Sequence, residues 1–107
     1  MKKHTKIYLE ALGYDIADFI PSEISGQRAN DIHHIECKGM GGNPTGSKDR
    51  IENLQALTRE EHLAYGDKKQ YMPMLLMTHY NFLEQNGVKF DKQYLIDKIN
   101  QYDTITN

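Results

Sequence analysis

The chain has 107 residues, 38% of them apolar, with no tryptophan and one cysteine. That length suits a single domain (1–107) with a modest core and leaves little for a second. Thirteen basic against fifteen acidic residues give a formal charge of −2, which excludes the whole-chain basic footprint usual in nucleic-acid binders, so any such binding must come from a local patch.

The start, Met1 to Lys6, is basic, but no apolar stretch follows it and no run could cross a bilayer, so no membrane contact is expected. A lone Cys37 excludes an intrachain disulfide and points to a reducing, cytoplasmic setting. Residues 3–12 place Ile7, Tyr8, Ala11 and Leu12 on one helical face, stopped by Gly13. Residues 14–29 read as irregular, with turns at Pro21-Ser22 and Ser25-Gly26. A short strand over 29–35 ends in His33-His34. Gly39, Gly41, Gly42, Pro44 and Gly46 then make a loop that no regular element tolerates. Residues 52–57 suit a second strand, and Thr58 is a fair N-cap for a helix starting at Arg59 that carries His62 in its first turns. Pro73 starts the next helix, with Met72, Leu75, Leu76, His79, Phe82 and Leu83 at steps of three and four, and Asn86-Gly87 stops it. Asp91 can cap a last helix with Tyr94, Leu95, Ile99 and Tyr102 inward, and the tail 103–107 is expected to fray.

Chemistry concentrates in the middle. Asp31-Ile32-His33-His34-Ile35 leads through Gly39-Met-Gly-Gly42 to Ile51-Glu-Asn53-Leu-Gln-Ala-Leu57 and then Arg59-Glu-Glu-His62. Strand, glycine-rich loop, strand with Asn, then helix with His: over roughly 20–69 this order resembles the HNH endonuclease family and its beta-beta-alpha-metal finger. The resemblance implies an α+β fold in which that finger is flanked by one N-terminal helix (1–19) and two C-terminal helices (70–107). It implies His34 as the general base that takes a proton from water, a task suited to an imidazole that titrates near neutrality. It implies His33 and His62 as ligands of one divalent ion (Mg²⁺, Mn²⁺, Ni²⁺ or Zn²⁺), and Asn53 as the residue that orients the base loop by hydrogen bonding.

The chain departs from the family pattern twice. Many relatives with histidine ligands carry another histidine one helical turn after the helix histidine; here Gly66 stands there, with Asp67 beside it. Asp67 or Asn53 is then a possible extra ligand, and Gly66→His is expected to tighten zinc binding. Zinc-bearing relatives also carry two Cys-x-x-Cys pairs, which align with Ser22/Ser25 and Thr58/Glu61, so no structural zinc is expected. Such a site supplies on the order of 10 kcal/mol to a small domain; burial by the flanking helices is expected to replace it, and the four side chains should still converge.

Lesser signals complete the reading. Gly41 to Lys48 nearly spells a phosphate-binding loop, but Ser47 stands where the lysine is required. The loop reads instead as a lid whose Lys38, Lys48 and Arg50 approach DNA phosphates, with Lys68 extending the patch. Lys68 also suits a helix C-terminus. His79, on an apolar face, reads as a packed core histidine. The expected function is hydrolysis of DNA phosphodiesters, leaving 5′-phosphate and 3′-hydroxyl ends. The rival is a non-catalytic DNA-binding or assembly module with a degenerate site. The acidic balance favours help from a partner protein or a homodimer. Small HNH proteins are common in phages and prophages, where they are similar to factors of the DNA-packaging machinery.

Overall fold

Tyr8 and Leu12 lie one helical turn apart, and with Leu9 they give the first helix, α1 (Lys3–Leu12), its buried stripe. The computed structural model describes residues 1–37 and 47–106, leaving aside the side chains of 104–106. Gly13 closes α1 in a left-handed conformation (φ 74°), which costs a glycine no Cβ clash. Ala11, expected inward, is exposed. Leu9 takes the buried seat instead, because the larger side chain removes more apolar surface from water.

Two short strands follow, β1 (Asp31–His34) and β2 (Leu54–Leu57), paired antiparallel with His33 opposite Gln55 and His34 opposite Leu54. Bonds from Asn30 N to the Leu57 carbonyl and from Ile35 N to the Asn53 carbonyl extend the ladder at both ends. A 3-10 turn, Ile51–Asn53, leads into β2, so the second strand begins two residues later than its pattern suggests. Next come α2 (Arg59–Tyr65), a 3-10 turn at Lys69–Tyr71, α3 (Met72–Gln85) and α4 (Lys92–Thr106). The fold is thus mixed α+β, four helices around a two-stranded sheet. The expected fraying does not set in at Asp103, because α4 runs on to Thr106.

Alternation of side chains along the strands decides what each face meets. Ile32, His34, Leu54 and Ala56 look toward α1, where Tyr8, Leu54 and Ala56 form one buried cluster. Asp31, His33, Gln55 and Leu57 look the other way, toward α2 and the start of α3. A second core joins Ile35 to Met72, Leu75, Leu76 and Leu83 of α3 and to Leu95 and Tyr102 of α4. Each fully buried leucine there stabilises the fold by about 1.5–3 kcal/mol. Asp91 caps α4 by accepting from Tyr94 N. No helix among the described residues is long and apolar enough to cross a membrane.

A polar seam runs through the packing. His79 and Glu23 are both fully buried, joined Nδ1 to Oε1 at 2.7 Å, while His79 Nε2 lies 2.6 Å from the Ile51 carbonyl. A carbonyl only accepts, so Nε2 carries a proton and the second proton lies between Nδ1 and Glu23. Tyr8 donates to the other Glu23 oxygen, and Gln55 to the first. His79 is the core histidine its apolar helical face suggests.

Candidate metal and phosphate site

The double histidine sits on a strand, so its two rings point to opposite faces. His33 turns toward α2, where its ring lies 4.4 Å from that of His62, tilted by 50°. His34 turns toward α1, its ring 4.5 Å from that of His4. Both histidines nevertheless border one open groove of about 320 Å³, lined also by Lys2, Cys37 and Asp67.

His33 is the anomaly. It is only 4% exposed, and its Nε2 has no hydrogen-bond partner among the described residues. Burial, reinforced by the neighbouring His62, pushes its pKa down from 6.5 to about 4, so the ring is neutral at pH 7 and keeps a lone pair. One ligand atom each from His33, His62 and Asp67 lies within 4.8 Å of the others, so this group can hold a metal ion. The surroundings of the group fit one as well. His62 Nδ1 pairs with Asp31 at 3.1 Å, which leaves Nε2 as its ligating nitrogen. Arg59 forks onto Asp31 through Nε and an Nη, both at 3.2 Å. Burial works against the charge on Asp31, but hydrogen bonds from Arg59 and His62 outweigh it and lower its pKa. Asp67 has φ 61°, the one non-glycine left-handed residue among those described, a conformation that aspartate tolerates better than most.

Gly66 completes the cup. It is neither helix interior nor left-handed but an extended C-cap (φ −66°, ψ 145°). A Cβ there would meet His62 Cδ2 and the His62 carbonyl at 2.6 Å and His33 Cε1 at 3.3 Å. This corrects the expectation for Gly66→His: the helix ends at Tyr65, and a side chain at 66 would displace both imidazoles before it could join them.

His34 has a different environment. Its Nε2 lies 2.7 Å from Asp49 Oδ1, and the two side chains are 12% and 10% exposed. Asn53, buried just before β2, holds the surrounding chain. Its Oδ1 accepts from Glu36 N at 2.8 Å, and its Nδ2 donates to the carbonyls of Glu36 and Lys48. One amide thus ties together the two ends of the segment that joins the strands. Glu36 is anchored in turn to α4 by Lys98 and Tyr102. Burial opposes the Glu36 charge, yet those two donors hold its pKa low.

The four basic residues expected at DNA fare differently. Lys48 reaches the Cys37 carbonyl at the groove edge. Lys68 donates to the Leu63 and Ala64 carbonyls, capping α2. Arg50 pairs with Glu52 and stacks on Tyr94, 3.9 Å from the ring centroid. Lys38 and the glycine-rich loop, 39–46, lie outside the described residues.

Away from the groove, Ser22, Ser25, Thr58 and Glu61 do converge. Ser22 Oγ donates to Glu61, as does Thr58 N, while Glu61 N donates back to Thr58 Oγ1, a capping box. Burial resists the Glu61 charge, and hydrogen bonds from Ser22, Ser25 and Thr58 lower its pKa.

Sequence reasoning missed Asp31, Asp49 and His4. Asp31 carried a signal, being two residues before His33 on the same strand face. The other two are assembled only by folding. No family model matches the chain, and no curated protein or solved structure matches it either.

Proposed function

We propose that the chain is a metal-dependent DNA endonuclease whose β-hairpin and α2 act as an HNH-type beta-beta-alpha-metal finger over about residues 20–69. The observation that carries this reading is the buried, unpartnered Nε2 of His33, which faces His62 and Asp67 across the space left by Gly66. A buried nitrogen without a partner costs roughly 1–3 kcal/mol, and a bound cation would remove that cost. When present, a divalent ion supplies positive charge to the scissile phosphate and the departing oxygen.

The chain's own residues do the rest. Asp49 holds His34 by Nε2, which leaves Nδ1 to take a proton from water. As that proton moves to His34, the water oxygen bonds to phosphorus and the bond from phosphorus to O3′ breaks. The 3′ oxygen gains a proton from solvent, His34 later returns its own, and a 5′-phosphate remains. Asn53 keeps Asp49 beside the base by pinning the Lys48 carbonyl next to it. Lys2 and Lys48, at the groove, are the phosphate contacts nearest the chemistry; Arg50 and Lys68 are bound within the chain and contribute charge from farther off.

One observation favours the non-catalytic alternative, a DNA-binding or assembly module. The net charge is −2, and two of the cations expected at DNA, Arg50 and Lys68, are engaged within the chain. Nicking of supercoiled plasmid across Mg²⁺, Mn²⁺, Ni²⁺ and Zn²⁺ separates the two. The endonuclease reading expects nicking with at least one ion, lost in His34→Ala while the His33 set of that variant still binds Ni²⁺ with wild-type affinity. A wild type that shifts DNA in a gel but never nicks it supports the module instead.

A further inference from the structure

Adjacent histidines on a strand face opposite ways, and here each finds its own donor set. His33 joins His62 and Asp67 on the α2 side. His34 joins His4 and Asp49 on the α1 side, again with one ligand atom each within 4.8 Å of the others. The two sets share no residue and have the same composition, two imidazoles and one carboxylate. We propose that His4, His34 and Asp49 form a second cation site, selective for zinc-like transition ions, whose filling switches off the base.

Ligand chemistry supports the assignment. Two nitrogens and one oxygen, with a position left for water, suit Zn²⁺ and its neighbours better than Mg²⁺, which prefers oxygen and keeps its waters. Donors bound to one tetrahedral zinc at about 2.0–2.1 Å lie roughly 3.3 Å apart. The His34–Asp49 pair, now 2.7 Å apart, would open slightly and His4 would move in, which asks for side-chain rotation and no backbone shift. His4 is held near by the packing of α1 on the hairpin, with its ring already 4.5 Å from that of His34. In the metal-free protein the His34–Asp49 contact holds the ring's one proton on Nε2; when the ion takes that nitrogen, Nε2 gives its proton to solvent and Nδ1 takes one from solvent, so the ring stays neutral in its other tautomer.

The consequence for His34 follows from imidazole valence. A neutral ring that binds an ion through one nitrogen carries its proton on the other, so no lone pair remains for the attacking water. Low zinc then fills the first set, and higher zinc silences the base. The binding claim stands without the hydrolytic reading; the switching claim rests on it.

Two measurements test the site. Zinc stoichiometry by equilibrium dialysis and metal analysis should give two ions per wild-type chain. It should fall to one in His4→Ala, in Asp49→Asn and in His33→Ala, each judged folded by circular dichroism. Plasmid nicking driven by Mn²⁺ should fall at least tenfold as zinc rises past the first equivalent, and His4→Ala should abolish that fall. A wild type that binds one zinc, or a His4→Ala variant that still binds two, overturns the second site. Equal inhibition of wild type and His4→Ala overturns the switch. A chain that binds two zincs with the expected variant pattern but never nicks DNA keeps the site, overturns the switch and fails the endonuclease reading alone.

Discussion

The two polar clusters that touch α2 follow opposite rules. On one side the 22–25 turn is closed in on itself: Ser22, Ser25 and Thr58 surround the Glu61 carboxylate, and Glu23 is tied to Tyr8, Gln55 and His79. On the other side His33 is buried yet its Nε2 has no partner among the described residues, beside an aspartate in a left-handed conformation and a glycine with no room for a side chain. A buried polar group with every bond made holds a fold together. One left open, with its neighbours arranged around the gap, is poised for something that arrives later. The closed side has an exception, Gln55 Oε1, which is buried with no partner among the described residues although its amide nitrogen makes two bonds.

The largest difference between the sides should appear in stability. Glu23→Ala strands His79 in the core and should cost about 3–5 kcal/mol in urea unfolding, with Ni²⁺ affinity of the surviving folded protein unchanged. If Ni²⁺ affinity falls along with stability, the two clusters are not separable. His33→Ala should do the reverse, removing ion binding by the His33, His62 and Asp67 set at little cost to the metal-free fold.

Acid should expose the open side next. In the folded chain His33 has its pKa near 4, against 6.5 in the unfolded chain, so between those values the unfolded state holds the extra proton. Stability therefore drops as pH falls from about 6.5 toward 4, by on the order of 3 kcal/mol from this group if the shift is taken at face value. Asp31, Glu36, Glu52 and Glu61 have lowered pKa values and act in the same direction, losing their contribution as pH falls below their usual range. Thermal melts from pH 7 to 4 measure this, and His33→Ala should flatten the upper part of the window. A wild-type melting temperature unchanged between pH 6.5 and 5 contradicts it.

A smaller effect sharpens the comparison from the supporting residues. Asp31→Asn leaves the His62 ring less well oriented and less basic, and should weaken Ni²⁺ binding about 10–100-fold in calorimetric titration while leaving Thr58, Glu61 and the hairpin intact. Gly66→His, in the same titration, should weaken binding too. A tighter Gly66→His variant would mean that the α2 C-terminus yields more readily than its packing against His62 implies.

How much of this was written in the sequence varies with range. Thr58-x-x-Glu61 announces the start of α2, Pro73 the first turn of α3, and the three-four spacing of Leu75, Leu76, His79 and Leu83 its buried face; all are local and all are observed. The joining of Ser22 to Glu61 was legible only through family resemblance, since 39 residues separate them. The Glu23–His79 pair spans 56 residues and left no local mark, because a lone glutamate in an irregular stretch looks like any solvated one. The same holds for Asp49, whose flanking Lys48 and Arg50 drew attention as cations. The end of α2 was misjudged because Gly66 fits both a helical position and a cap, and only the close approach of His62 and His33 selects the cap.

Where a first ion binds separates the open cup from the closed cluster. Crystals grown with one equivalent of Zn²⁺ and measured on both sides of the zinc edge give that answer directly. One anomalous peak is expected, bounded by His33 Nε2, the His62 ring and the Asp67 carboxylate, and none in the Ser22–Glu61 cluster. An empty His33 cup with zinc bound elsewhere on the chain would contradict that expectation.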